Sequence, residues 1–131
     1  MKGPIFLDTN LAILWSLGSN WFPISLAETI SRHPRALVSS ISVAEVEIKG
    51  LLRKLNLKGN FVASLEGSGI QIESFDQDAA EQINRFDQLV GHDPFDRLIL
   101  AQASSHRNST FYTTDRKLAS LGLNWVVYVA K

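Results

Sequence analysis

The sequence predicts an α/β protein, a five-stranded parallel sheet with helices on both faces. Three observations carry this. Short apolar runs recur along the chain and stop abruptly at polar turns; capped or amphipathic helical stretches separate them; and 131 residues is the size of one domain that can bury about two-thirds of the surface its unfolded form exposes. Strands alternating with helices favour parallel pairing through right-handed crossovers, with both sheet faces covered.

The first run, Ile5-Phe6-Leu7, ends at Asp8-Thr9-Asn10, as a buried strand ends at a turn. A helix is expected from about Leu11 to Leu17, closed by Gly18. Ser19 to Ile24 reads as a loop, and Ser25-Leu26-Ala27-Glu28 as a capping box opening a second helix that stops before Pro34. Ala36-Leu37-Val38-Ser39 is the next buried strand, and Ser42 opens a helix to about Leu55. A short helix over Asn60 to Glu66 precedes Ile70-Gln71-Ile72-Glu73, whose alternation marks an edge strand. Asp78 to Leu89 is expected to be helical, with Ala79, Ile83, Phe86 and Val90 on its buried stripe. Asp93-Pro94 starts a further helix, proline standing in its favoured first turn. Thr110 to Thr113 is a fourth strand, a short helix follows Asp115, and Trp125 to Val129 closes the sheet.

Composition narrows the chemistry. With no cysteine, disulfides, thiol nucleophiles and thiolate metal sites are excluded, so a metal must be held by oxygen or imidazole. Thirteen basic residues balance thirteen acidic ones, so any surface for a polyanion is local. No apolar run reaches the roughly 20 residues of a membrane helix, and Pro4 to Leu7 is too short for a signal-peptide core. A cytoplasmic protein without a membrane partner is expected.

Four acids fall where such a sheet binds ligands, at the carboxyl edge of its strands. Asp8 ends the first strand and Asp115 the fourth; Glu45 is expected in the first turn of the helix after the second strand, and Asp96 in the first turn of the helix leading into the fourth. Each has an ordinary explanation. Asp8, Asp93 and Asp115 can cap helices, Ser42-x-x-Glu45 has the form of a capping box, and the helix dipole favours Asp96 by up to ~1 kcal/mol. Those explanations leave the convergence of four negative charges unexplained, because mutual repulsion offsets the capping gain. A divalent cation removes the conflict: carboxylates suit Mg2+ or Mn2+, and the chemistry such a site serves is phosphodiester hydrolysis.

The blocks Ile5 to Asn10, Ser42 to Lys49, His92 to Ala103 and Thr113-Thr114-Asp115 together resemble a PIN domain. His92-Asp93-Pro94-Phe95-Asp96-Arg97 and the residues after it are similar to the variety found in VapC-type toxins of toxin–antitoxin pairs. The resemblance implies one domain over residues 1–131, strand order 3-2-1-4-5, and Mg2+- or Mn2+-dependent endoribonuclease activity. Asp8, Glu45 and Asp96 take the positions of the family's three most constant acids, and Asp115 that of a more variable fourth. Thr113 matches a hydroxyl residue that orients water. The resemblance further implies an RNA substrate, a cognate antitoxin and a homodimer. Asn10 and Ala44 depart from residues common in close relatives, histidine and tryptophan, without touching the acids.

Other residues have plainer readings. Asp93 is read as a helix cap, His92 as a solvated loop residue outside the site, and Lys49 as an i, i+4 partner of Glu45. Arg53, Lys54, Arg97, Arg116 and Lys117 are read mostly as solvated charge, with RNA-backbone contact as the alternative. Trp15, Trp21 and Phe22 suggest an interface, core packing being an equal reading for Trp15. A phosphoaspartate receiver would need acids ahead of Asp8, and a dehalogenase-like phosphatase would need one where Asn10 stands. A PIN nuclease of RNA processing and a silent PIN interaction module remain as alternatives; the four intact acids favour activity.

Overall fold

The structure, a computed structural model, describes residues 3–53, 55, 57 and 59–130. Its elements are β1 (Ile5–Leu7), α1 (Thr9–Ser16), α2 (Ile24–Arg32), β2 (Ala36–Ser39), α3 (Ser40–Leu51), α4 (Phe61–Gly67), β3 (Gln71–Glu73), α5 (Gln77–Glu81), a 3-10 segment (Ile83–Leu89), α6 (Pro94–Ser104), β4 (Thr110–Thr113), α7 (Arg116–Ala119) and β5 (Val126–Tyr128). All strand pairs are parallel and the order is β3-β2-β1-β4-β5, as the resemblance implies. The chain builds outward from β1 to β3, then returns to lay β4 on the other side of β1. Ligands of such sheets bind where the order reverses, and here that is the carboxyl edge between β1 and β4.

Alternation along β1 divides the core in two. Ile5 and Leu7 point into one layer with Leu11, Leu26, Val38 and Leu65. Phe6 points into the other, against Leu37, Leu100, Phe111 and Leu118. Each strand residue of β1 is buried, which is why the run is apolar throughout: a parallel strand covered on both faces has no solvent side.

Several expected boundaries move. The second helix starts at Ile24 after Pro23 with no side-chain cap, so Ser25 lies inside it and the expected capping box does not form. In α3 the cap is Ser39, whose Oγ accepts from the Ile41 amide, and the helix ends at Leu51. Lys54 lies outside the described residues. The expected long helix before Asp93 is split into α5, capped by Asp76, and the 3-10 segment, which breaks at Phe86 (φ −118°, ψ 45°). That break changes the buried phase, so Leu89 is in the core while Val90 is 73% exposed. Gly18 does close α1, at φ +63°, with its amide bonded to the Trp15 carbonyl. Among the described residues no helix is long and apolar enough to cross a membrane.

Candidate active site

Asp8 stands between β1 and α1, and its two carboxylate oxygens are divided between two elements. Oδ1 accepts from the Leu11 amide at 2.7 Å, capping α1. Oδ2 accepts from the Thr113 hydroxyl and the Thr114 amide, each at 2.8 Å. Thr113 spends its one proton on Asp8 and accepts from the Asp115 amide at 2.9 Å; its remaining lone pair is what it can offer a water. Asp8 is 4% exposed. Burial pushes its carboxyl above the ordinary value, against the opposing pull of the bonds from Leu11, Thr114 and Thr113.

Glu45 departs from expectation. Because α3 begins at Ser40, Glu45 is in its second turn and makes no capping box with Ser42. Ser42 is buried and accepts from the Thr9 hydroxyl at 2.9 Å. Glu45 Oε2 accepts from Lys49 Nζ at 2.6 Å, the i, i+4 pair expected. Oε1 is buried with no hydrogen-bond partner among the described residues. A charged oxygen in that condition is costly unless a cation faces it. The hydrogen bond to Glu45 raises the Lys49 ammonium above its usual range, against a smaller opposing effect of burial; the charges of Glu45, Asp93 and Asp96 add to the rise.

Asp93 caps α6, accepting from the Phe95 amide at 2.9 Å, with Pro94 next in line. Asp96, in the first turn of the helix, is thereby aimed at the same edge. Its carboxyl is pushed up to about 7, first by burial and then by the negative charges of Asp93, Glu45, Asp115 and Asp8. Asp115 caps α7 through Oδ1, which accepts from the Lys117 and Leu118 amides at 2.8 and 3.2 Å. Its Oδ2 lies 3.0 Å from His92 Nε2, which is also 3.2 Å from Asp96 Oδ2.

The structure therefore brings Asp8, Glu45, Asp96, Asp115 and Thr113 to one edge and adds His92, which the sequence reading set aside. The available signal was its spacing, four residues before Asp96 on the approach to a capped helix. His92, Asp96 and Asp115 each offer a donor atom within 4.8 Å of the others. The orphaned Glu45 oxygen, and the burial and repulsion that push the Asp96 carboxyl up, both fit a divalent cation at this edge. Arg97 points away from it, its Nη2 donating to the Ile83 carbonyl at 3.4 Å. Arg116 is engaged with the Tyr128 hydroxyl, whereas Arg53 and Lys117 are exposed. Trp15 meets Phe22 edge to face, with ring centroids 5.1 Å apart, and donates to Ser68 Oγ at 2.7 Å; Phe22 is buried.

The family model of the PIN domain matches residues 5–123. No curated protein matches in sequence. Among solved structures, DNA-bound VapBC from Salmonella typhimurium is similar at TM-score 0.68 and 22% identity, over 99% of this chain and 98% of that one. A toxin–antitoxin complex from Klebsiella pneumoniae follows at 0.65 and 23%, over 94% and 95%. VapC20 of Mycobacterium tuberculosis, a sarcin-ricin loop cleaving toxin, is similar at 0.58 and 22%, over 97% and 99%. At these identities the likeness establishes the fold.

Proposed function

The chain belongs to the PIN domain family, and from that premise we propose that it is a metal-dependent endoribonuclease, the toxin of a toxin–antitoxin pair. The observation that carries the reading is the convergence of Asp8, Glu45, Asp96 and Asp115 on one edge, with a buried Glu45 oxygen left without a partner. Those four carboxylates would hold the ion, Mg2+ or Mn2+. A bound ion lowers the pKa of a water and offsets charge developing on the phosphoryl oxygens during in-line attack. The protein's own part is orientation. Thr113 and Thr114 fix Asp8, Lys49 fixes one oxygen of Glu45, and the α6 and α7 caps fix the approach of Asp96 and Asp115. In the net reaction a water oxygen bonds to phosphorus while the bond from phosphorus to a ribose oxygen breaks, the water's proton passing to the leaving group or to solvent.

The likeness to VapBC and to a toxin–antitoxin complex supports an antitoxin as partner. So does a groove of about 650 Å³ between α1 and α2, lined by Leu14, Trp15, Phe22 and the exposed Ile24, with Leu17 also exposed nearby in sequence. A homodimer and a cytoplasmic location complete the reading. Cleavage of a mixed RNA pool tests it, with Mg2+, Mn2+ or EDTA, and with Asp96→Asn beside the wild type. Cutting that requires metal and falls by at least a hundredfold in the variant is expected. A folded, inhibitor-free protein that cuts under no condition would turn the reading to an interaction module.

A further inference from the structure

The geometry points to His92 as a ligand of the ion: its imidazole joins Asp96 and Asp115 in a nitrogen-containing face that favours Mn2+ over Mg2+. This rests on the metal-dependent reading of the same edge and specifies which ion it takes.

Asp115 has only one oxygen to give. Oδ1 is committed to two backbone amides of α7, and the free oxygen, Oδ2, is the one that lies 3.0 Å from His92 Nε2. Asp96 likewise turns Oδ2 toward the same nitrogen, at 3.2 Å. An ion that engages both free oxygens therefore arrives next to Nε2. The ring is held there, since the His92 side chain is 16% exposed and its backbone amide is bonded to the Leu89 carbonyl at 2.9 Å. Glu45, 4% exposed, adds its unpartnered Oε1 to the same field.

A neutral imidazole has one ring nitrogen with a lone pair and one with a proton. His92 Nε2 lies within hydrogen-bond reach of both aspartates. To hold an ion through Nε2 the ring would present its lone pair there and carry its proton on Nδ1. The consequence is selectivity. Mg2+ demands near-ideal oxygen octahedra and sheds water reluctantly, whereas later first-row ions accept imidazole readily. Mn2+ stands between them: it takes carboxylates as Mg2+ does and also tolerates a nitrogen donor.

The test is pulsed electron paramagnetic resonance on the full chain loaded with Mn2+, with calorimetric titration of Mn2+ and Mg2+ alongside. The expected result is echo modulation from a coordinated 14N in the wild type. In His92→Ala the modulation disappears and Mn2+ affinity falls by about tenfold or more, with Mg2+ affinity changing less than twofold. His92→Gln, which offers an amide oxygen, recovers affinity for Mn2+ without the nitrogen signal. Bound Mn2+ with no 14N modulation in the wild type overturns the inference while leaving the nuclease reading standing, as does an equal loss of both ions in His92→Ala. A wild type that binds neither ion overturns both.

Discussion

Two aspartates at one edge of this sheet answer to opposite demands. Asp96 carries a carboxyl pushed up to about 7 from an unfolded value of 3.8. Between those values the folded protein holds a proton that the unfolded chain has released, so its stability falls as pH rises through that window and stays reduced above it. Asp96→Asn removes the cost. In EDTA the variant is expected to melt above the wild type at pH 8 and to lose that advantage toward pH 4.5, as thermal denaturation at both pH values would show. An advantage independent of pH would refute the electrostatic origin. Asp8 behaves otherwise, because it accepts on both sides: Leu11 N–H on Oδ1, Thr113 O–H and Thr114 N–H on Oδ2. An asparagine amide has an acceptor for one side only, whichever way it is turned. Asp8→Asn is therefore expected to cost about 1–3 kcal/mol in denaturant midpoint despite removing a desolvated charge. Capping and clustering, weighed as rivals from the sequence, are both true of Asp8 and Asp115; for Glu45 only the clustering stands.

The helices that bear the acids are fastened to one another by a buried amide. Gln102 of α6 accepts from the hydroxyl of Ser39, the residue that caps α3. Its Nε2 donates to the carbonyl and to the carboxylate of Glu73, at the end of β3, at 3.1 and 3.2 Å. Glu45 rides on α3 and Asp96 on α6, so this contact sets the spacing between two of the four acids. Gln102→Leu, of similar volume, leaves Ser39 and Glu73 short of partners; a loss of about 1–3 kcal/mol is expected, with a fall in cleavage rate larger than the lost folded fraction explains. The sequence hid this tie because a glutamine on an apolar stripe carries no local mark of its partners. The same blindness misplaced the α3 cap. Ser39, Ser40 and Ser42 all have cap chemistry, and only the end of β2 decides which one stops the strand. The 3-10 break at Phe86 was likewise illegible, since nothing in Ile83-Asn84-Arg85-Phe86 forbids an α-helix; the turn is imposed by what Phe86 and Leu89 pack against.

At the scale of the molecule, the strands were the most legible feature. Ile5 to Leu7 and Ala36 to Val38 are apolar because both faces are covered, and parallel pairing followed from the helices between them. Strand order came from the likeness of whole blocks to a family, not from periodicity. His92 was missed for the complementary reason: it meets Asp115 across 23 residues of chain, a proximity that no local pattern encodes. A longer meeting at this edge is the bond from the Thr114 amide to Asp8, 106 residues apart, with the Thr113 hydroxyl bonded beside it. A ribosome making this chain delivers Asp8 well ahead of Thr113, so the Oδ2 side of that carboxylate is unheld until β4 and the turn after it have emerged and docked. On the proposed reading, RNA cutting is accordingly withheld from the nascent polypeptide, and a fragment clipped before Thr113 is expected to be inactive.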